Sequence, residues 1–250
     1  MSIRCRWGTM ICVAVVTLVA AGFRPADVDP IPPGFRDDFI ETYNDAWTVL
    51  NENSENVSLT KAPGMLTITT ESGGIWRSYN NAKNIFLIDT PMKYGNFVMT
   101  TRIVGFNPEA SYQQAGLICF NDIDNYVKFV LEFDRGNGGK TLAVVPETEG
   151  IDHENAVLEV NGVIENLWLR IVRYDEKYIF ASSRDGKNYK TVVIQRCDTD
   201  FPLKVGILAK NGNGSGNKAA GIDACFDLFE IVPLETRPEL ERLIKREMEF

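Results

Sequence analysis

The sequence predicts an all-β sandwich. Three observations carry that reading. From Phe35 to about Pro233 the chain is a run of short segments that alternate apolar and polar residues. Turn residues separate them. No apolar period of a helix persists anywhere in the span. With 44% hydrophobic and 24% charged residues, 250 residues suffice for one sizeable core, and sandwiches of this length commonly form a single domain.

The elements follow in order. Arg4 and Arg6 precede the apolar run Met10–Gly22, which ends in small residues; residues 1–22 are read as a secretory leader, too short for a comfortable membrane span. No later segment is apolar enough to cross a bilayer, so no membrane insertion of the mature chain is expected, and a secreted or periplasmic location is. Residues 23–34, "FRPADVDPIPPG", are a Pro-rich linker, and 35–233 the sandwich. In "YVKFVLEF", Val127, Phe129, Leu131 and Phe133 share one face, and Tyr126, Lys128, Val130 and Glu132 the other. In "LWLRIVRY", Leu167, Leu169 and Ile171 oppose Trp168, Arg170 and Val172. In "LKVGILAK", Leu203, Val205, Ile207 and Ala209 oppose Lys204, Gly206, Leu208 and Lys210. One face of each strand is expected in the core and the other in solvent. Asp185-Gly186 marks a tight hairpin, because Gly tolerates positive φ. In the tail, Thr236 and Glu239 stand at capping-box spacing, and Leu240, Leu243, Ile244 and Met248 form one stripe; residues 234–250 are read as a short helix.

The stretch "NDIDNY" places Asp122, Asp124 and Asn125 close together and invites a calcium-loop reading. That loop needs an oxygen ligand at its fifth position and Gly at its sixth, where this chain has Tyr126 and Val127. A hairpin turn is expected instead, since Asp and Asn side chains bond nearby backbone in turns.

Charge and cysteines exclude several classes. The formal charge is −8, and without Arg4 and Arg6 it becomes −10 (−8 − 2), which disfavours nucleic acid and anionic membranes as partners. Cys119, Cys197 and Cys225 remain after the leader; they form neither a disulfide framework nor a metal-ligand spacing. One bridge with a free thiol, or three buried thiols, both satisfy them.

"QQAGLICFNDIDNYVKFVLEF" at 113–133 resembles a hairpin of the concanavalin A-like domain at the C-terminus of family 43 β-xylosidases. It also resembles a related uncharacterised single-domain family described under the heading of enolase regulation. "VSLTKAPGMLTI" at 57–68, "KNIFLIDTPMKYGNFVMTTRI" at 83–103, "LWLRIVRYDEKYIFASSRDGKNY" at 167–189 and "ACFDLFEI" at 224–231 extend the resemblance, in the family's order, over about residues 35–232. It implies a jelly-roll sandwich of two curved antiparallel sheets. In the xylosidases this domain is accessory and the catalytic carboxylates sit on a separate propeller, for which this chain has no room. The xylosidase reaction is therefore not carried over. A concave, sugar-facing surface is.

Sugar recognition needs aromatic platforms beside planar polar groups, because pyranose rings have apolar faces and a rim of hydroxyls. Gln114, Tyr126, Lys128, Glu132 and Arg170 on the polar strand faces are the candidates, with Trp76 and Arg77 of "GGIWRSYNN" at the rim. Trp47 and Trp168 are assigned to packing. The expected partner is a neutral glycan, with a xylan-like one as the example. The resemblance also implies a structural calcium ion where the first and last strands meet, with Asp38 of "RDDF" (beside Asp37) and Asp227 as ligands.

Enzyme signals are weak. His153 lies in a polar loop, which leaves a nucleophilic site a single base to draw on. Glu149, Asp152 and Glu154 lack the alternation that would aim all three into one cleft. The expected function is carbohydrate binding by a lectin-like protein with no catalytic residues of its own. The alternatives are a glycoside hydrolase using Glu132 with another cleft carboxylate, and a protein-interaction module docking through residues 236–250.

Overall fold

The computed structural model describes residues 34–92, 94–153, 156–196, 201–212 and 219–248. The leader 1–22, nearly all of the linker, Glu154 and Cys197 lie outside the described residues. The first strands are β1 (Phe35–Asp37), β2 (Thr48–Leu50), β3 (Val57–Ser58), β4 (Leu66–Thr69), β5 (Ile75–Trp76) and β6 (Tyr79–Asn80). The middle of the chain gives β7 (Ile85–Asp89), β8 (Phe97–Val104), β9 (Gln114–Asp122), β10 (Asn125–Asp134), β11 (Gly139–Thr148), β12 (Ile151–Asp152) and β13 (Ala156–Glu159). The last are β14 (Asn166–Tyr174), β15 (Lys177–Ser183), β16 (Lys190–Arg196), β17 (Lys204–Lys210) and β18 (Asp223–Pro233), followed by helix α1 (Pro238–Met248).

These strands make two antiparallel sheets and one small hairpin. The first sheet runs β16-β15-β14-β8-β18-β4-β3, with β1 also on β18. The second runs β12-β11-β10-β9-β17-β7-β2, with β13 also on β11. The inner faces meet in one apolar core. Met99, Leu169, Ile171, Phe180, Phe229 and Ile231 of the first sheet face Leu117, Phe129, Leu131, Val205 and Ile207 of the second. The alternation of "YVKFVLEF", "LWLRIVRY" and "LKVGILAK" supplies Phe129, Leu131, Leu169, Ile171, Val205 and Ile207, and period two sends their neighbours to the outer faces. Two residues depart from the reading: Phe133 is half-buried and outside the core cluster, and Leu203 is exposed before β17, which starts at Lys204.

The turns follow their residues. Ile123 and Asp124 link β9 to β10, and the Asp122 carboxylate accepts the Asp124 amide and the Asn125 side-chain amide. Between β15 and β16, Gly186 takes φ +72°, while Asp185 accepts the Lys187 and Asn188 amides and the Ser183 hydroxyl. That loop, residues 184–189, is wider than the tight two-residue turn expected. The tail is helical, but the capping box does not form. Thr236 sits in a 3₁₀ turn, Leu234–Thr236, and its hydroxyl donates to the Pro233 carbonyl. Ile244 and Leu240 pack with Leu234 onto Val98, Val172 and Ile179, on the outer face of the first sheet. The side chains of Leu243 and Met248 lie outside the described set.

Candidate functional site

The outer face of the second sheet carries the expected polar residues, and it is not solvated. Tyr126, Lys128, Val130 and Glu132 are all buried, Lys128 to 2% exposure. The reason is the β5–β6 hairpin with its flanking loops. Ile75, Ala82 and the half-buried Trp76 pack over Ile118, Phe120, Val130, Ala143, Val145 and Leu208 to form a second apolar core. Alternation identified the face correctly but could not show what covers it.

Register builds the polar end of this face. Glu132 of β10 stands opposite Thr141 of β11 and Gln114 of β9, and Gln114 stands opposite Lys210 of β17. Paired residues share a face, so Thr141, Glu132, Gln114 and Lys210 form one cross-strand row. Lys128, four residues back along β10, projects to the same side. Beside Glu132, Gln114 and Lys210 opens a pocket of about 150 Å³, which the fully buried Thr141 does not line. Gln114, Lys128, Glu132, Lys210 and Val145 form its floor and walls; Trp76, Tyr112, Asp134 and Asn137 stand at its mouth.

Its polar groups are only partly satisfied. The Gln114 side-chain amide donates to Glu132, and Gln114 Oε1 has no partner. Thr141 Oγ1, on the other side of Glu132, has none either. Lys128 Nζ donates to the Ile75 carbonyl at 2.9 Å, and Lys210 Nζ to the Gly212 carbonyl. An ammonium has three donors, so donors remain at both lysines. Buried polar atoms without partners are uncommon in folded proteins and are expected where a ligand or water completes them.

Burial sets the electrostatics. Desolvation pushes the Lys128 ammonium from 10.5 down to about 8, against the opposing pull of Glu132 and Glu147. It also lowers Lys210 well below the lysine range, with Lys128 adding to the effect. Burial raises the Glu132 carboxyl, opposed by Gln114, Lys128 and Lys210. Two further carboxylates nearby bond other groups, although Glu147 Oε1 has no partner. Asp134 accepts the Gly136 amide and the Asn137 side-chain amide. Glu147 Oε2 accepts the Arg77 amide at 2.7 Å and lies 2.9 Å from the Tyr126 hydroxyl.

The structure thus brings together Trp76, Gln114, Lys128 and Glu132 of the expected site residues. Tyr126 lies beneath the cover, its hydroxyl 2.7 Å from the Ile75 carbonyl, and does not line the pocket. Arg77 holds φ +53° at the β5–β6 turn, stacks on Trp76 at 4.4 Å and bonds Asp152 at 2.6 Å, which pins the cover down. Arg170 is elsewhere. It is on β14 of the other sheet, stacked 3.6 Å from Tyr189, in a separate groove of about 530 Å³ with Glu230 and Arg237. Sequence reasoning missed Tyr112, Lys210 and Thr141; Lys210 was on the correct alternating face, but only the β9–β17 pairing sets it beside Gln114.

The expected calcium ligands are each held in an ion pair. Asp38 pairs with Arg36, Asp227 with Arg102, and among the described residues no three His, Cys, Asp or Glu side chains group as a metal site. Asp37, not Asp38, is the buried carboxylate there. It accepts the Phe39 and Asn44 amides and the Trp47 indole N–H, so Trp47 packs in the core as expected. His153 is exposed.

Two antiparallel sheets around one core, with a partly satisfied polar pocket on an outer face, define a concanavalin A-like jelly roll. The chain belongs to the family described as "Protein of unknown function (DUF1349)", matched over residues 51–233. Among solved structures it is similar to the GH43 protein BlXynB from Bacillus licheniformis, at 24% identity and a TM-score of 0.66. That match covers 79% of this chain and 39% of the other. A functionally unknown protein from Saccharomyces cerevisiae aligns at 20% identity and a TM-score of 0.58, over 75% of this chain and 96% of that one. A Bacillus licheniformis β-glucanase shares the jelly roll at 12% identity and a TM-score of 0.55, covering 80% and 97%. The chain thus spans well under half the length of the GH43 proteins it resembles. No curated protein matches. No helix among the described residues is long and apolar enough to cross a membrane.

Proposed function

We propose that this protein binds carbohydrate without cleaving it, in the pocket bounded by Gln114, Lys128, Glu132 and Lys210. The observation that carries the reading is the cross-strand row with unpartnered Gln114 Oε1 beside Glu132 and spare lysine donors, under Trp76 and Tyr112. Sugar hydroxyls both donate and accept, and the mixed row offers both complements; the aromatic rims suit the apolar faces of a pyranose. Two lysines face Glu132 and Asp134, and burial disfavours the charged forms of Lys128, Lys210 and Glu132, so the pocket carries little net charge, which favours a neutral ligand such as a xylan-type sugar. The likeness in fold to GH43 proteins agrees with a carbohydrate partner. The leader expected at residues 1–22 supports an activity outside the cytoplasm.

A glycoside hydrolase is the second reading, because burial raises Glu132 toward the range of a general acid. Its partner carboxylate would have to be Asp134, whose two oxygens are engaged with Gly136 and Asn137.

A glycan array on the secreted chain, then calorimetry on the strongest ligand, tests the proposal. Gln114→Ala and Tyr112→Ala are each expected to weaken binding about 5- to 150-fold, the effect of losing one good contact worth about 1–3 kcal/mol. Arg170→Ala, on the other sheet, is expected to bind as wild type. Circular dichroism controls for folding. Unchanged affinity in both folded pocket variants would place the ligand elsewhere, and reducing ends released from the bound glycan would replace binding with hydrolysis.

A further inference from the structure

Resting on that reading, we infer that the site takes a single sugar unit at a chain end and not the interior of a polysaccharide chain. A jelly roll that binds along a chain needs an open trough across several strands. Here most of that face is closed. Ile118, Val130, Ala143, Val145 and Leu208, which would form the middle of the trough, are all buried, sealed by Ile75, Trp76 and Ala82.

The cover is fastened at many points and is not a loose flap. The Ile75 carbonyl takes Lys128 Nζ, the Arg77 amide donates to Glu147, and the Arg77 guanidinium bonds Asp152. At the base of the segment the Gly73 amide donates to the Asn211 carbonyl, the Gly74 amide to the Asn81 side chain and the Asn211 amide to the Glu71 carbonyl. Gly73 lies so close to Ala82 and Asn81 that a Cβ there would sit 2.8 Å from their backbone atoms. These bonds join the cover to β10, β11, β12 and the end of β17, so opening it would break several buried polar contacts together.

What remains open is the end of the face around Gln114, Glu132 and Lys210. Its volume of about 150 Å³ is half the lower bound of about 300 Å³ for pockets that bury drug-sized ligands. A space of that size suits one ring. The other units of a chain would leave past Tyr112 and Asn137 into solvent, where they add few contacts.

Calorimetry on the wild-type protein with a length series tests this. The probes are the methyl glycosides of xylose, arabinose, glucose and galactose, and the dimers and hexamers of β-1,4-linked xylose and glucose. The expected result is that the preferred sugar binds as monomer, dimer and hexamer within about threefold of one another, one protein per chain end. An affinity that climbs about tenfold or more from monomer to hexamer, or several proteins bound along one hexamer, would overturn the chain-end inference and leave sugar binding standing. No heat with any member of a panel that also covers the array hits would overturn the sugar-binding reading, and this inference with it.

Discussion

Lys128→Met should stabilise the protein at pH 7 and flatten its stability–pH curve above neutrality. A lysine held near pKa 8 against an ordinary 10.5 imposes a penalty of about 3 kcal/mol on the native state wherever it stays protonated. Below pH 8 both native and unfolded chains hold the proton and the penalty is complete. Between 8 and 10.5 the unfolded chain keeps the proton that the native state has shed, so stability rises with pH. Lys210, also lowered by burial, acts with the same sign. Above pH 10 the slope reverses, because burial holds the Tyr126 phenol neutral well above its ordinary range while unfolded tyrosines ionise. Removing Lys128 also takes a favourable charge from Glu132 and an unfavourable one from Lys210, two changes of opposite sign. Methionine keeps the length of the side chain, and the Ile75 carbonyl retains the Tyr126 hydroxyl 2.7 Å away. After about 1 kcal/mol for the lost lysine hydrogen bond, the net gain at pH 7 is about 2 kcal/mol, shrinking to nothing by pH 9.5–10. Urea midpoints across pH 7–9.5 would check it. A variant less stable than wild type at pH 7, with the slope intact, would show that Lys128 is a structural cation. A buried charge that weakens the fold and lines a pocket is a mark of a functional group.

Asp37→Ala should cost about 3 kcal/mol. The substitution leaves the Phe39 amide and the Trp47 indole N–H buried without an acceptor, and each such orphan costs about 1–3 kcal/mol. Against a usual total of about 5–15 kcal/mol, that is a large share. Asp38→Ala, one residue on, removes a half-exposed pair with Arg36 and should cost under about 1 kcal/mol. Thermal or urea unfolding of the two variants separates them. Equal effects would mean that the loop 38–46 is not anchored through Asp37.

These cases mark what the sequence could and could not reveal. Strand faces were legible, since period two is a local property; Val127, Phe129 and Leu131 entered the core as read. The Asp122 turn was legible for the same reason. Burial of the opposite face was not, because the segment that covers Lys128 comes from residues 73–84, about fifty positions away in sequence. Membership of a sheet was also hidden. Arg170 alternates in the same way as Glu132, but β14 pairs with β8 and β15, and that pairing sets it on the other layer. Lys210 illustrates the converse: nothing local distinguishes it from Lys204, which pairs with Asp89 at the far end of β17. The two aspartates of "RDDF" were separable only by the structure, which buries Asp37 on Trp47 and leaves Asp38 outside.

The central claim is that the polar row on β9, β10 and β17 is where a sugar binds. Amide chemical-shift mapping with the strongest array ligand tests that location directly. The account predicts perturbations concentrated at Tyr112–Gln114, Lys128–Asp134 and Lys210, with none around Arg170, Glu230 and Arg237. Perturbations centred on that Arg170 groove, or spread along the whole outer face of either sheet, would contradict it.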